Sequence, residues 1–148
     1  MATRADSDEA YVLGLCDEVL GEVGLRQHRF DWLMGDPGKD GRCRRLPVDG
    51  YWPGAATVVE YREVQHDKPV KHFDKPDVLT VSGIHRGLQR ALYDARRDAL
   101  IPGHRLQLVV IRPSNLCSNG SGRLRRLHES DIEQVRLLLG PQAGAVRA

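Results

Sequence analysis

RLPVDGYWPGAATVVEYREVQ, residues 45–65, reads as two strand-like runs around a Pro-Gly turn. Pro53 and Gly54 sit where the chain must reverse, one with its φ preset and the other free of side-chain clash. So short a connection favours antiparallel pairing of RLPVDGYW (45–52) with ATVVEYREVQ (56–65). In the second run Val58, Glu60, Arg62 and Val64 face one side, and Val59, Tyr61, Glu63 and Gln65 the other. Strands in mid-sheet carry few charges, yet Glu60, Arg62 and Glu63 fall within four positions. Asp49 stands eleven positions before Glu60, so the hairpin sets two carboxylates near each other on neighbouring strands. A hard divalent cation with oxygen ligands, Mg²⁺ or Mn²⁺, relieves the repulsion such a pair creates.

Upstream, LRQHRFDWLM (25–34) is suited to a further strand and GDPGKDG (35–41) to the turn that follows it. Ahead of these, Leu13, Cys16, Leu20 and Val23 step by 3, 4 and 3, with Val12 and Val19 beside them. That is the stripe of an amphipathic helix over 9–23, with Gly24 placed to stop it. Downstream, 66–77 holds two prolines and mixed charge and reads as a loop. Ser82 is placed to cap a helix reaching Leu100, with Ile84, Leu88, Ala91, Leu92, Ala95 and Ala99 as its apolar face. RLQLVVI (105–111) is a buried strand, and 113–122 a polar loop. Ser130 with Glu133 forms a capping box for a last helix ending at Gly140-Pro141. The expected fold class is therefore α/β: a mixed central sheet flanked by helices, in the order helix, three strands, helix, strand, plus an extra C-terminal helix. Residues 9–140 form one domain between flexible tails, 1–8 and 141–148.

The composition agrees with a single globular domain. The chain has 148 residues, 41% hydrophobic and 28% charged, enough for one core and too balanced for disorder. Its longest aliphatic run, 108–111, is four residues, against the roughly 20 that a bilayer span needs. No membrane role is expected. The start, MATRADSDEA, lacks the apolar stretch of a secretory signal. Three cysteines with no C-x-x-C pair argue against a disulfide framework or a cysteine zinc site, and fit a reducing cytoplasm. The net charge of +2 names no partner, although arginine, whose fork suits phosphate oxygens, dominates the basic residues. There is no P-loop, no dinucleotide fingerprint and no nucleophile elbow.

The order αβββαβ, with Pro47-Val48-Asp49 on one strand and Glu60-Tyr61-Arg62 on the next, resembles the PD-(D/E)XK nuclease superfamily, the restriction-endonuclease-like fold. It is most similar to the branch of the very-short-patch mismatch-nicking endonucleases. The likeness is carried by Asp49, by Val58-Val59-Glu60 with His66 six positions on, by Asp94-Ala95-Arg96-Arg97, by Pro102-Gly103 and by the run 106–111. The resemblance implies a metal-dependent endonuclease hydrolysing DNA phosphodiester bonds, of restriction or repair type, with RNA left open as a substrate. Asp49 and Glu60 would hold Mg²⁺ (or Mn²⁺), joined by an acid of the first helix, Glu18 or Glu22. Arg62 stands where the superfamily usually has lysine; it stays protonated and would hold the phosphate or steady developing charge. His66 would assist proton transfer. A frame shifted by three offers Glu63 and Gln65, which makes Gln65 the reserve candidate. A homodimer would suit a double-strand cutter.

Arg86, Arg90 and Arg97, spaced by 4 and 7, share one stripe of their helix, a candidate phosphate-binding surface. Lys68 and Lys71 in the following-strand loop would contact the same cleft. Plainer readings of the same residues are a turn acid at Asp49, a salt-bridged row at Glu60 and Arg62, and a solvated helix face for the arginines. Two other functions stay open beside the enzyme: a nuclease-fold DNA-binding module that has lost its chemistry, and a protein-interaction subunit.

Overall fold

Ser7 opens the first helix: its side chain accepts the Ala10 N–H at 3.0 Å. The helix, α1 (Asp8–Leu20), closes at Gly21, whose φ of 66° lets its N–H reach the Asp17 carbonyl. The stop therefore comes three residues before Gly24, and Val23, expected on the apolar stripe, is left 80% exposed. Gly24 serves packing instead, because a β-carbon there would lie 2.3 Å from the Trp52 ring.

The computed structural model describes residues 7–63 and 86–141. After α1 come β1 (Leu25–Met34), β2 (Arg45–Trp52), a 3₁₀ turn (Pro53–Ala55), β3 (Thr57–Tyr61), α2 (Arg86–Gly103), β4 (Gln107–Ile111), a second 3₁₀ turn (Pro113–Asn115) and α3 (His128–Leu139). The first two strands have the expected bounds; β3 is described only to Tyr61, with Arg62 N–H adding one bond to the Ile111 carbonyl. The sheet runs β1-β2-β3-β4, antiparallel except for the parallel pair β3–β4. A parallel pair needs a long crossover, and α2 lies within it. The protein is thus a mixed α/β structure with a four-stranded sheet flanked by helices.

One sheet face meets α1 and α3 through Val12, Leu13, Cys16, Trp52, Val59, Ile111, Val135 and Leu139. The other meets α2 through Leu33, Leu46, Val48, Val58 and Ile101. On this second face the pattern departs from expectation. Leu88, Ala91, Leu92, Ala95 and Ala99 point to solvent, with Leu88 52% and Leu92 42% exposed. Tyr93, Asp94, Arg97 and Ile101 turn inward instead. The cause lies in β3, which presents Glu60 and Arg62, each 4% exposed, to this helix. Leaving two leucines half in water forgoes roughly 1 kcal/mol each. Stranding a buried charge costs about 3–5 kcal/mol, so ion pairing sets the helix rotation.

Two further boundaries differ. Helix α2 runs on through Pro102 to Gly103 rather than ending at Leu100, and its expected cap, Ser82, lies outside the described residues. Helix α3 begins at His128, so Ser130 is already inside it and bonds the Leu127 carbonyl at 3.3 Å; Glu133 pairs with Arg136 instead of closing a capping box.

Candidate active site

The β2–β3 ladder runs Trp52↔Thr57, Tyr51↔Val58, Gly50↔Val59, and the next pair is Asp49 with Glu60. There side chains replace the backbone ladder. The Asp49 N–H donates to Glu60 Oε2 at 2.8 Å, and the Tyr61 N–H donates to Asp49 Oδ2 at 2.7 Å. Each carboxylate thus satisfies a main-chain donor on the opposite strand, which fixes its orientation. Opposite Asp49 on β1 stands Gln27, in the left-handed region at φ 52°. Its Nε2 donates to Glu9 Oε2 at 3.3 Å and to Asp49 Oδ1 at 3.5 Å. Side-chain alternation breaks here: Arg26 and Trp52 reach Asp17 of α1, whereas Val48 and Tyr51 belong to the α2 side.

Helix α2 roofs the pair with charge. Arg97 Nε stands 3.7 Å from Glu60 Oε1 and donates to the Pro47 carbonyl at 3.1 Å, while its Nη1 bonds Asp94 at 3.0 Å. Arg62 Nη2 lies 3.8 Å from the same Oε1 and pairs with Asp98 at 2.9 Å. Its Nε is 3.7 Å from Asp94 Oδ1 and, buried, makes no hydrogen bond. Among the described residues the cluster sets four carboxylates against two guanidinium groups.

The electrostatics follow from that imbalance. Burial, reinforced by the negative charge of Asp49, pushes the Glu60 carboxyl up to about 7. Burial also raises Asp49, against the Tyr61 hydrogen bond and the Arg97 charge that hold it down. Burial disfavours the Arg62 charge, but the Asp98 and Asp94 carboxylates outweigh it and keep the guanidinium protonated. Among the described groups negative charge is in excess, and burial beside Asp49 favours the protonated form of Glu60 near neutral pH.

The sequence-predicted residues divide into three sets. Asp49, Glu60, Arg62 and Arg97 meet. Arg97 is turned inward onto carboxylates rather than outward as a phosphate contact, and Arg90, two turns earlier on the same stripe of α2, is exposed. Neither first-helix acid joins the pair: Glu18 lies 3.1 Å from His128 Nε2, and Glu22 accepts the Gly54 N–H at 2.9 Å. Gln65, His66, Lys68 and Lys71 lie outside the described residues, as does the Arg86 side chain.

Asp98 and Gln27 were not anticipated, and Asp94 only as part of a motif. Asp94 and Asp98 are four apart on one helix face, where like charges repel. That repulsion was a readable sign of a cation between them, which Arg62 supplies. Nothing in the sequence marks Gln27.

Among the described residues no group of three or more His, Cys, Asp or Glu side chains is arranged to hold a metal ion. The pair itself has hard oxygen donors, and one oxygen of each carboxylate, Asp49 Oδ1 and Glu60 Oε1, has no partner nearer than 3.5 Å among the described residues. Mg²⁺ commonly takes one or two carboxylates and completes its shell with water and substrate phosphate, so the donor set fits that ion. Searches against protein-family models, curated proteins and solved structures find no match to this chain.

Proposed function

We propose that this protein is a metal-dependent endonuclease of the restriction-endonuclease-like kind, hydrolysing DNA phosphodiester bonds. The observation that carries the reading is the Asp49–Glu60 pair at the fork of β2 and β3. Two carboxylates are held there by main-chain N–H groups, with an oxygen of each left without a short bond. The strand order and the parallel β3–β4 pair spanned by α2 are what the αβββαβ resemblance requires.

Asp49 and Glu60 would hold Mg²⁺ or Mn²⁺, which supplies an acidified water and neutralises phosphoryl charge. The chain's own groups do the rest. Asp49 and Glu60 stay oriented through the Tyr61 and Asp49 N–H groups. Without metal the Glu60 carboxyl is raised to about 7, so binding a cation there would displace a proton near neutral pH. Asp98 and Asp94 hold the buried Arg62 guanidinium beside Glu60, where its charge would steady negative charge developing at the pair.

The test is cleavage of supercoiled plasmid with Mg²⁺ or Mn²⁺ by the native chain, Asp49→Ala and Glu60→Ala. Nicking or linearisation that EDTA and either substitution abolish supports the reading. DNA binding without cutting across several metals refutes it. The second reading then takes its place: a DNA-binding module of the same fold, favoured by Arg62, whose fork is committed to Asp98 at 2.9 and 3.3 Å.

A further inference from the structure

A row of rings crosses the sheet at its β1 edge. His28, Phe30 and Trp32 alternate along β1 on one face. Phe30 stacks on Trp32 with centroids 4.5 Å apart, and Trp32 on His104 at 3.7 Å with 9° between planes. His28 meets Phe30 edge-on at 4.7 Å, and Tyr51 joins both. The row is not sealed: His28, Phe30, Trp32 and Tyr51 are half-buried and His104, at the row's end, is exposed. Trp52, by contrast, is fully covered.

Beside the row, the β1–β2 connection is basic. Asp36 is paired with Arg96, Asp31 with Arg45, and Asp40 accepts the Arg42 N–H. Lys39, Arg42 and Arg44 are exposed, and no side-chain bond is found for them among the described residues. Arg105 is likewise exposed next to His104. Two of the three acids are paired with arginines, and Lys39, Arg42 and Arg44 outnumber the remaining Asp40, so the field here is positive and complementary to a polyanion. Aromatic faces interleaved with unpaired cations match a strand whose bases are unstacked, since a duplex hides its base faces.

We infer that the ring row and the basic hairpin form a track for single-stranded nucleic acid. Unpaired bases extend the stack at the exposed His104 ring, the end of the row, and Lys39, Arg42 and Arg44 take phosphates. The inference narrows the substrate class of the proposed nuclease and rests on that reading only for the choice of a nucleic-acid partner.

The test is fluorescence anisotropy of a labelled twelve-nucleotide deoxythymidine strand and of a duplex of equal length, with the full chain in EDTA so that no chemistry intervenes. The expected result is tighter binding of the single strand, with quenching of tryptophan emission that Trp32→Phe removes. His104→Ala weakens binding about 5- to 150-fold, the range for losing one stacked base. Arg42→Ala with Arg44→Ala lowers the salt slope by about 1.4. Circular dichroism melts confirm that the variants fold. Equal or tighter duplex binding, ring variants that bind like the native chain, or displacement by polyglutamate at equal charge would overturn the inference. A chain that binds the strand in this pattern but never cuts plasmid refutes the nuclease and leaves the track. One that cuts, while the His104 and double arginine variants bind as before, refutes the track alone.

Discussion

Raising the pH from 4.5 to 8 should cost the native protein about 3 kcal/mol of stability through the Asp49–Glu60 pair, in which Glu60 is the group raised to about 7. The carboxyl moves from 4.5 in an unfolded chain to about 7 when buried beside Asp49. At about 1.4 kcal/mol per unit, that difference is worth roughly 3 kcal/mol. Because the folded value is the higher one, the native state binds the extra proton between pH 4.5 and 7. Stability is greatest below that window, falls through it, and levels off above. With a urea dependence of about 1–3 kcal/mol/M, the unfolding midpoint drops by roughly 1–3 M, read from emission of the buried Trp52. Glu60→Gln keeps an oxygen to accept the Asp49 N–H, removes the titration and should flatten this part of the profile. Mg²⁺ at pH 8 should restore stability to the native chain and not to the variant. Parallel pH profiles for the two proteins would refute the account of the cluster as short of positive charge.

Four other outcomes follow from the packing and the charge pairs. Gly50→Ala places a β-carbon 2.6 Å from the Trp52 ring and should cost about 1–3 kcal/mol in urea unfolding; Gly14→Ala, with open space around it in mid-α1, should gain about 0.5–1 kcal/mol. Burial raises Asp17, but hydrogen bonds from Arg26, the Gly24 N–H and Trp52 outweigh it and hold the carboxyl below its usual value. Its contribution is present above pH 3.8 and lost as pH falls through the lower folded value, so an acid titration of Asp17→Asn should lack that loss. Arg62→Ala takes from Asp98 its guanidinium partner and leaves buried Glu60 with Arg97 as its nearest described cation; it should cost about 2–3 kcal/mol, measured by thermal unfolding at pH 7.5.

Strands β1 and β2 were legible to the residue because Gly24, the GDPG turn and the Pro-Gly turn bracket them on each side. The Asp49–Glu60 meeting was legible from the same turn, which leaves the hairpin little freedom of register. What periodicity could not supply was the rotation of α2. A count of apolar positions assumes an apolar surface beneath, and here the surface holds Glu60 and Arg62. Glu18 and Glu22 were equally exposed candidates on paper; their partners, His128 and the Gly54 N–H, come from 110 and 32 positions away. The left-handed turn at Gln27 is set by cross-strand bonding, so a glycine rule had no purchase on it.

The inverted polarity of α2 also bears on how the molecule breathes. Helices α1 and α3 are held by aliphatic contact, whose release exposes oily area to water and is costly. Helix α2 is held in large part by guanidinium–carboxylate pairs, and its departure would rehydrate those ions and cover none of its already wet leucines. Amide exchange should therefore find α2 opening as a separate unit, at lower free energy than α1 or α3 and more readily as salt rises. Each such opening uncovers Asp49 and Glu60 while the four-stranded sheet beneath them stays intact.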